Sequence, residues 1–277
     1  MHRVSANGAD VPALGVGTYQ LSTEQARETV ETALELGYRH VDTAEYYDNE
    51  RGVGAGIDRS SVDREEVFLT TKVWRSHLHE EDVRPAVEAS LDRLGVEYVD
   101  LLLVHWPHPR VPVEETLAAM ERLREDGLVE HIGVSNFTRD QLEAAMAVAD
   151  VPIVTDQVLY HPFKDQRALQ QFCADSDVAL TAYSPLAQGA VVGHDELGQI
   201  GARYEKTAPQ VALRWLVQQD GVVAIPRSAS RDHLADNLAV FDFELTDAEM
   251  DRIAGLTGGL KTRFGNVLPS LMRSFPL

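Results

Sequence analysis

Eight apolar runs of strand length alternate with amphipathic stretches of helix length along nearly the whole chain, and few folds accommodate that pattern. The runs are "LGVGTY", "HVDTA", "VFLTTKV", "VDLLLVHW", "HIGVSNF", "IVTDQVLY", "ALTAYSP" and "VVAIPRS". Between them lie periodic segments such as "TEQARETVETALEL", "EEDVRPAVEASLDRL", "VEETLAAMERLRED", "RDQLEAAMAVA" and "APQVALRWLVQQ". Helix starts carry their own chemistry: Ser22 with Gln25 forms a capping box, and Thr207 with Pro209 caps another start. Gly37 and Gly127 stop helices where a left-handed residue is wanted. Ahead of the first run, "RVSANGADVP" reads as a hairpin turning at Asn7-Gly8. Eight βα units in series predict a (β/α)8 TIM barrel, an α/β fold. The hairpin is expected to plug its bottom, and the tail "RFGNVLPSLMRSFPL" to cover the active-site face. No linker or repeat beyond the βα unit breaks the pattern, so residues 1–277 are expected to form one domain.

Charge narrows the partners. The chain carries 44 acidic against 25 basic residues, a net −19, and its only lysines are Lys72, Lys164, Lys206 and Lys261. Nucleic acid and anionic membranes are excluded as expected partners, because phosphate contacts need basic patches. No apolar run approaches the roughly 18 residues of a membrane span. "MHRVSANGAD" lacks the apolar core of a targeting segment. Cys173 is the single cysteine, so no intrachain disulfide forms and a cytoplasmic location is expected. Carboxylate excess with scarce lysine reads as adaptation to high salt, where counterions screen self-repulsion. An ordinary acidic enzyme is the alternative. A monomer is expected.

In a barrel of this kind, chemistry sits at the carboxyl ends of the strands. Asp42 ends the second barrel strand, Lys72 the third, His105 the fourth and Ser135-Asn136 the fifth. Gln157 lies on the sixth, Tyr183-Ser184 on the seventh and Arg227-Ser228 on the eighth. A single Asp–Lys pair is usually a structural ion pair, and a single histidine after "LLLV" is usually core. Seven successive polar tips are different, because parallel strands force them into one volume. A tyrosine from "EYYDNE" (Tyr46 or Tyr47) beside Lys72 makes a general acid. The ammonium is expected to lower the phenol below its ordinary value of about 10. Asp42 would keep Lys72 charged, and His105 would hydrogen-bond a carbonyl oxygen. Such a group protonates an oxyanion but holds no electron source, so a nicotinamide hydride would complete a carbonyl reductase.

These motifs resemble the aldo-keto reductase family over essentially the whole chain. "GYRHVDTAEYYDNERGVG", "TTKVW", "LLLVHWP", "IGVSNF", "DQVLYHP", "AYSPLAQG" and "AIPRSASRDHLADN" follow in the family's order. The resemblance implies Tyr47 as proton donor, with Asp42, Lys72 and His105, and Tyr46 as a pocket neighbour. It implies cofactor contacts at Thr18, at Ser135, Asn136 and Gln157 (carboxamide), Tyr183 (ring stacking), and Ser184 and Leu186 (pyrophosphate). Arg227, Ser228, His233 and Asn237 match the adenosine end. The chain departs from the family where Arg227 replaces a lysine, His233 an arginine, and Tyr19 a pocket tryptophan. NADP(H) is the cofactor implied, with NAD(H) accepted, because His233 supplies charge only when protonated. Tyr19, Tyr46, Trp74 and Trp106 are the expected pocket wall around a small carbonyl substrate.

Other readings compete. "GVGAGI" resembles a dinucleotide-binding glycine loop but follows "YYDNER" instead of a strand, which excludes that fingerprint. The "HLH" pair, His77 and His79, invites a metal-dependent barrel hydrolase, but it lies at a helix entry without a carboxylate cluster, and no metal is expected. A Schiff-base role for Lys72 fails because a charge-paired lysine is a poor nucleophile. A nucleotide-sensing barrel without turnover is the remaining alternative.

Overall fold

The computed structural model describes residues 2–257. All eight expected runs contain strands of one parallel sheet, preceded by a two-stranded hairpin, β1 (Arg3–Ala6) and β2 (Ala9–Pro12). The barrel strands are β3 (Val16–Gly17), β4 (His40–Asp42), β5 (Phe68–Val73), β6 (Val99–Val104), β7 (Val129–Ser135), β8 (Ile153–Leu159), β9 (Ala179–Tyr183) and β10 (Val222–Ile225). Each pairs with the next in chain order. The ring is joined by Ala224 N donating to Ala13 O at 2.9 Å, Gly15 N to Ala224 O at 2.9 Å and Gly17 N to Pro226 O at 3.1 Å. Here the first strand is shorter than the run "LGVGTY". A Cβ on Gly15 would lie 2.7 Å from His40 Nδ1, and one on Gly17 would lie 3.0 Å from Ile225 O, so the seam needs both glycines.

Ten helices surround the sheet among the described residues: α1 (Thr23–Leu36), α2 (Glu50–Arg59), α3 (Glu80–Leu94), α4 (Val113–Glu125), α5 (Arg139–Val148), α6 (Arg167–Asp175), α7 (Asp195–Ala202), α8 (Ala208–Val217), α9 (Arg231–Leu238) and α10 (Asp247–Ala254). The capping boxes at Ser22/Gln25 and Thr207/Gln210 are present, and Gly37 closes α1 at φ 110°. Strand alternation divides the core in two. On β6, Leu102 and Val104 face the helices, while Leu101 and Leu103 face the barrel interior. That interior layer includes Phe68, Val154, Ala179 and Val223, and Val4, Ala6, Ala9 and Val11 of the hairpin pack against it. The hairpin therefore plugs the bottom, and each buried Val or Leu there contributes roughly 1.5–3 kcal/mol. Its turn is Asn7-Gly8, both at positive φ as a tight hairpin requires. The tail expected to cover the opposite face lies outside the described residues.

The glycine-rich segment "GVGAGI" belongs to α2. A Cβ on Gly52 would stand 2.0 Å from Thr23 O, and one on Gly54 would stand 1.9 Å from Leu94 O. These glycines let α2 press against α1 and the end of α3. They serve helix packing.

Candidate active site at the carboxyl ends of the strands

Asp42, Lys72 and His105 are delivered by three neighbouring strands, so their side chains converge although the chain separates them by dozens of residues. Lys72 is wholly buried. Its Nζ donates to Asp42 Oδ1 at 2.6 Å, to Thr43 O at 2.7 Å and to Tyr47 Oη at 3.4 Å. The other Asp42 oxygen accepts from Gln157 Nε2 at 2.7 Å. Tyr47 sits on a short 3₁₀ turn, Glu45–Tyr47, whose next residue Asp48 adopts a left-handed φ of 53°. The ring of Tyr47 lies edge-on to His105 at 5.6 Å.

Burial dominates the electrostatics. It pushes the Tyr47 phenol well above its ordinary range, and the nearby Asp42 carboxylate pushes the same way. This corrects the expectation that Lys72 would lower it: loss of solvent around the half-buried phenol and the surrounding Asp42, Tyr19 and Tyr183 all disfavour the phenolate. The proton therefore stays on Tyr47, as a proton donor requires. Burial also pushes Lys72 down, opposed first by Asp42 and then by Glu50. His105 is pushed well below its ordinary value by burial and by the Lys72 charge, so its imidazole is neutral. Its Nδ1 is buried without a hydrogen-bond partner.

The expected carboxamide contacts form a network of their own. Ser135 Oγ donates to Gln157 O at 2.8 Å. Asn136 Nδ2 donates to His105 O at 3.1 Å and to Ser135 Oγ at 2.9 Å, while its Oδ1 accepts from Tyr183 Oη at 2.9 Å. Among the described residues, six of nine non-glycine residues at positive φ lie at this end: Gln20, Asp48, Asn136, Ser184, Ala187 and Gln188. Strained backbone of this kind concentrates at binding sites. Ser184 and Leu186 are half-buried beside them. Arg227 is exposed after β10, and Ser228 Oγ accepts from Ser230 N at 3.1 Å. His233 is exposed in the first turn of α9, and Asn237 is buried on that helix. Thr18, expected among the cofactor contacts, is fully buried, and its hydroxyl donates to Asp42 O at 3.1 Å. It latches β3 to β4.

An aromatic wall faces the tetrad. Tyr46 stacks on Trp74 at 3.9 Å, Trp74 meets His105 edge-on at 5.0 Å, and Tyr19 approaches Tyr47 at 5.0 Å. Trp106 is half-buried next to His105 in the chain. The histidine pair has ordinary partners: His77 Nδ1 lies 2.7 Å from Glu45 Oε1, and His79 Nδ1 lies 3.7 Å from Glu115 Oε2. Among the described residues no group of three His, Cys, Asp or Glu side chains could hold a metal.

Sequence reasoning missed Thr43, Asn49 and Glu50. Asn49 donates to Thr18 O at 2.8 Å and Leu21 O at 3.0 Å and accepts from Thr43 Oγ1 at 3.2 Å. A polar pair starting a helix straight after the tyrosines was the signal available.

The geometry has relatives. Residues 13–257 match the model of the aldo/keto reductase family. The chain belongs to the aldo-keto reductase family. It is 41% identical over 251 residues to the glyoxal reductase of Bacillus subtilis (strain 168), covering 90% of each chain. It is also 41% identical to the 9,11-endoperoxide prostaglandin H2 reductase of Trypanosoma cruzi (strain CL Brener), covering 89% of this chain and 88% of that one. The aldose reductase structure of Schistosoma japonicum superposes with a TM-score of 0.90 at 30% identity, covering 100% of this chain and 99% of that one. An aldo/keto reductase structure from Brucella melitensis gives 0.88 at 39%, covering 92% and 99%. As a member of the aldo-keto reductases, the chain is an oxidoreductase that reduces carbonyl groups with a nicotinamide cofactor.

Proposed function

We propose that this aldo-keto reductase reduces a small aldehyde or dicarbonyl, with Tyr47 as the proton donor and NADPH as the preferred hydride source. The observation that carries the proposal is the Lys72 ammonium, held between Asp42, Thr43 O and the Tyr47 hydroxyl. When bound, the nicotinamide supplies the hydride that these side chains lack. Tyr47 releases its proton to the carbonyl oxygen as negative charge develops there. Lys72 then faces a phenolate, and its N–H donors offset the burial that otherwise disfavours that charge. Asp42, oriented by Gln157, keeps the ammonium aimed. Neutral His105 donates one N–H toward the carbonyl oxygen and orients it. Tyr46, stacked on Trp74, narrows the water access.

Several features of this chain fit a nicotinamide dinucleotide. Gln157 Oε1 and His105 Nδ1 accept no hydrogen bond among the described residues. The Tyr183 ring is half-buried with its hydroxyl pinned to Asn136. Ser184 and Leu186 sit in the strained loop behind it. Arg227 is exposed and forms no ion pair among the described residues, which suits a 2′-phosphate. The likeness to a glyoxal reductase supports glyoxal as first substrate to test. Exposed large hydrophobics among the described residues are Val148 and Val192 alone, which supports a monomer, and the single cysteine supports the cytoplasm.

Purified protein should oxidise NADPH on addition of glyoxal, read at the nicotinamide absorbance band. Tyr47→Phe should lower kcat about 10²–10⁴-fold with NADPH still quenching tryptophan fluorescence, and Tyr46→Phe should be mild. Retained turnover in Tyr47→Phe rules out the proton donor. Tighter binding of NADH than of NADPH rules out the cofactor preference.

A further inference from the structure

Thr71 and Lys72 are consecutive on β5, so their side chains leave opposite faces of the sheet. Lys72 enters the site, and Thr71 points to the helix layer, where its hydroxyl donates to Glu50 Oε1 at 2.7 Å. Glu50 is the first residue of α2, three residues after Tyr47, and is only 1% exposed. Its Oε2 accepts from Arg93 Nε of α3 at 2.7 Å and lies 2.6 Å from Nη2 in the same ion pair, while Nη2 donates to Ser90 Oγ at 2.8 Å. Asn49, one residue earlier, ties the same corner to Thr18, Leu21 and Thr43. A carboxylate this deep persists only when its oxygens are paired. One buried side chain thus joins the strand that carries Lys72 to the turn that carries Tyr47.

We propose that Glu50 is a positioning residue of the reduction site, a buried carboxylate that holds the Tyr47 turn in register with β5 and fixes a negative charge behind the strand that carries Lys72. The proposal rests on the catalytic reading above. Asp42 from β4, Tyr47 from the 3₁₀ turn and His105 from the end of β6 face Lys72, the His40 imidazole of β4 also feels its charge, and Glu50 of α2 lies behind the strand on the helix side. Of these, Asp42 and Glu50 oppose the loss of the ammonium charge on burial. The Arg93 side chain is 30% exposed against 1% for Glu50, so solvent screens the arginine more.

The four lysines of the chain make the test direct, since ¹³Cε-lysine labelling produces four signals, and Lys72→Met assigns one of them. In Glu50→Gln the Lys72 titration midpoint should fall, because an opposite charge nearby favours the ammonium. The alkaline limb of kcat for glyoxal reduction should move the same way, while the NADPH dissociation constant stays unchanged. Glu50→Asp, which keeps the charge, should restore the midpoint. A merely structural role would lower the melting temperature and leave the midpoint alone. If Glu50→Gln does not fold, the double variant Glu50→Gln/Arg93→Gln, which buries no unpaired charge, is titrated with the same expectation. A wild-type midpoint in the folded variant overturns the proposal. The titration needs no turnover, so a wild-type protein that reduces no carbonyl would sink the catalytic reading separately.

Discussion

Replacing Lys72 with methionine removes a buried cation from the site while nearly preserving side-chain volume. The structure sets the cost. Asp42, 2% exposed, would keep a single donor, Gln157 Nε2, and the Thr43 carbonyl would lose its 2.7 Å bond to Nζ. Breaking one side of a buried pair strands the other charge, which typically costs about 3–5 kcal/mol. Lys72→Met is therefore expected to be about 4 kcal/mol less stable in urea unfolding at pH 7.5, with an unchanged m-value. The double variant Asp42→Asn/Lys72→Met strands no charge. It should recover most of that loss and lie within about 1–2 kcal/mol of wild type, because apolar replacement of a whole pair is often neutral. Both variants should lose reductase activity. A Lys72→Met protein as stable as wild type, or a double variant as unstable as the single one, would refute the account of Asp42 and Lys72 as a desolvated, mutually dependent pair. Recovery of stability without activity would place the pair's value in chemistry.

Other outcomes follow from the same coordinates. Gly54→Ala should destabilise by at least the roughly 1–3 kcal/mol of overpacking, because its Cβ would meet the Leu94 carbonyl oxygen, which is backbone. A thermal melt measures this, and an unshifted transition would mean α2 is free to move off α3. His40 is buried and held down to about 4, mainly by burial. Its depressed value means the stability it contributes is present above the ordinary histidine value of about 6.5 and is lost as pH falls toward 4. Wild-type melting temperature should drop across that window and His40→Gln should flatten the slope; parallel slopes would assign the acid sensitivity to other groups. With a net −19, melting temperature should climb between 10 mM and 1 M KCl, as the Debye length shrinks from about 30 Å to about 3 Å. A flat salt profile would make the acidity ordinary surface charge.

What the sequence determined by itself was local or repetitive. Hydrophobic period located the eight strands, and cap chemistry placed the helix starts at Ser22 and Thr207, because both depend on residues within one turn of each other. The βα repeat implied the barrel, and parallel strands then obliged Asp42, Lys72 and His105 to meet at one end. Residue spacing alone left Tyr46 and Tyr47 equivalent until the family resemblance separated them. In the tertiary structure Tyr47 lies 3.4 Å from the ammonium, while Tyr46 stacks on Trp74. The glycines of α2, the Asn49 and Glu50 anchors and the latch of Thr18 were likewise invisible, since each answers a contact from a distant part of the chain. The direction of the Tyr47 shift was misread for a related reason. A neighbouring lysine can be inferred from strand order, but the loss of solvent and the approach of Asp42, Tyr19 and Tyr183 to the phenol are properties of the closed, packed barrel.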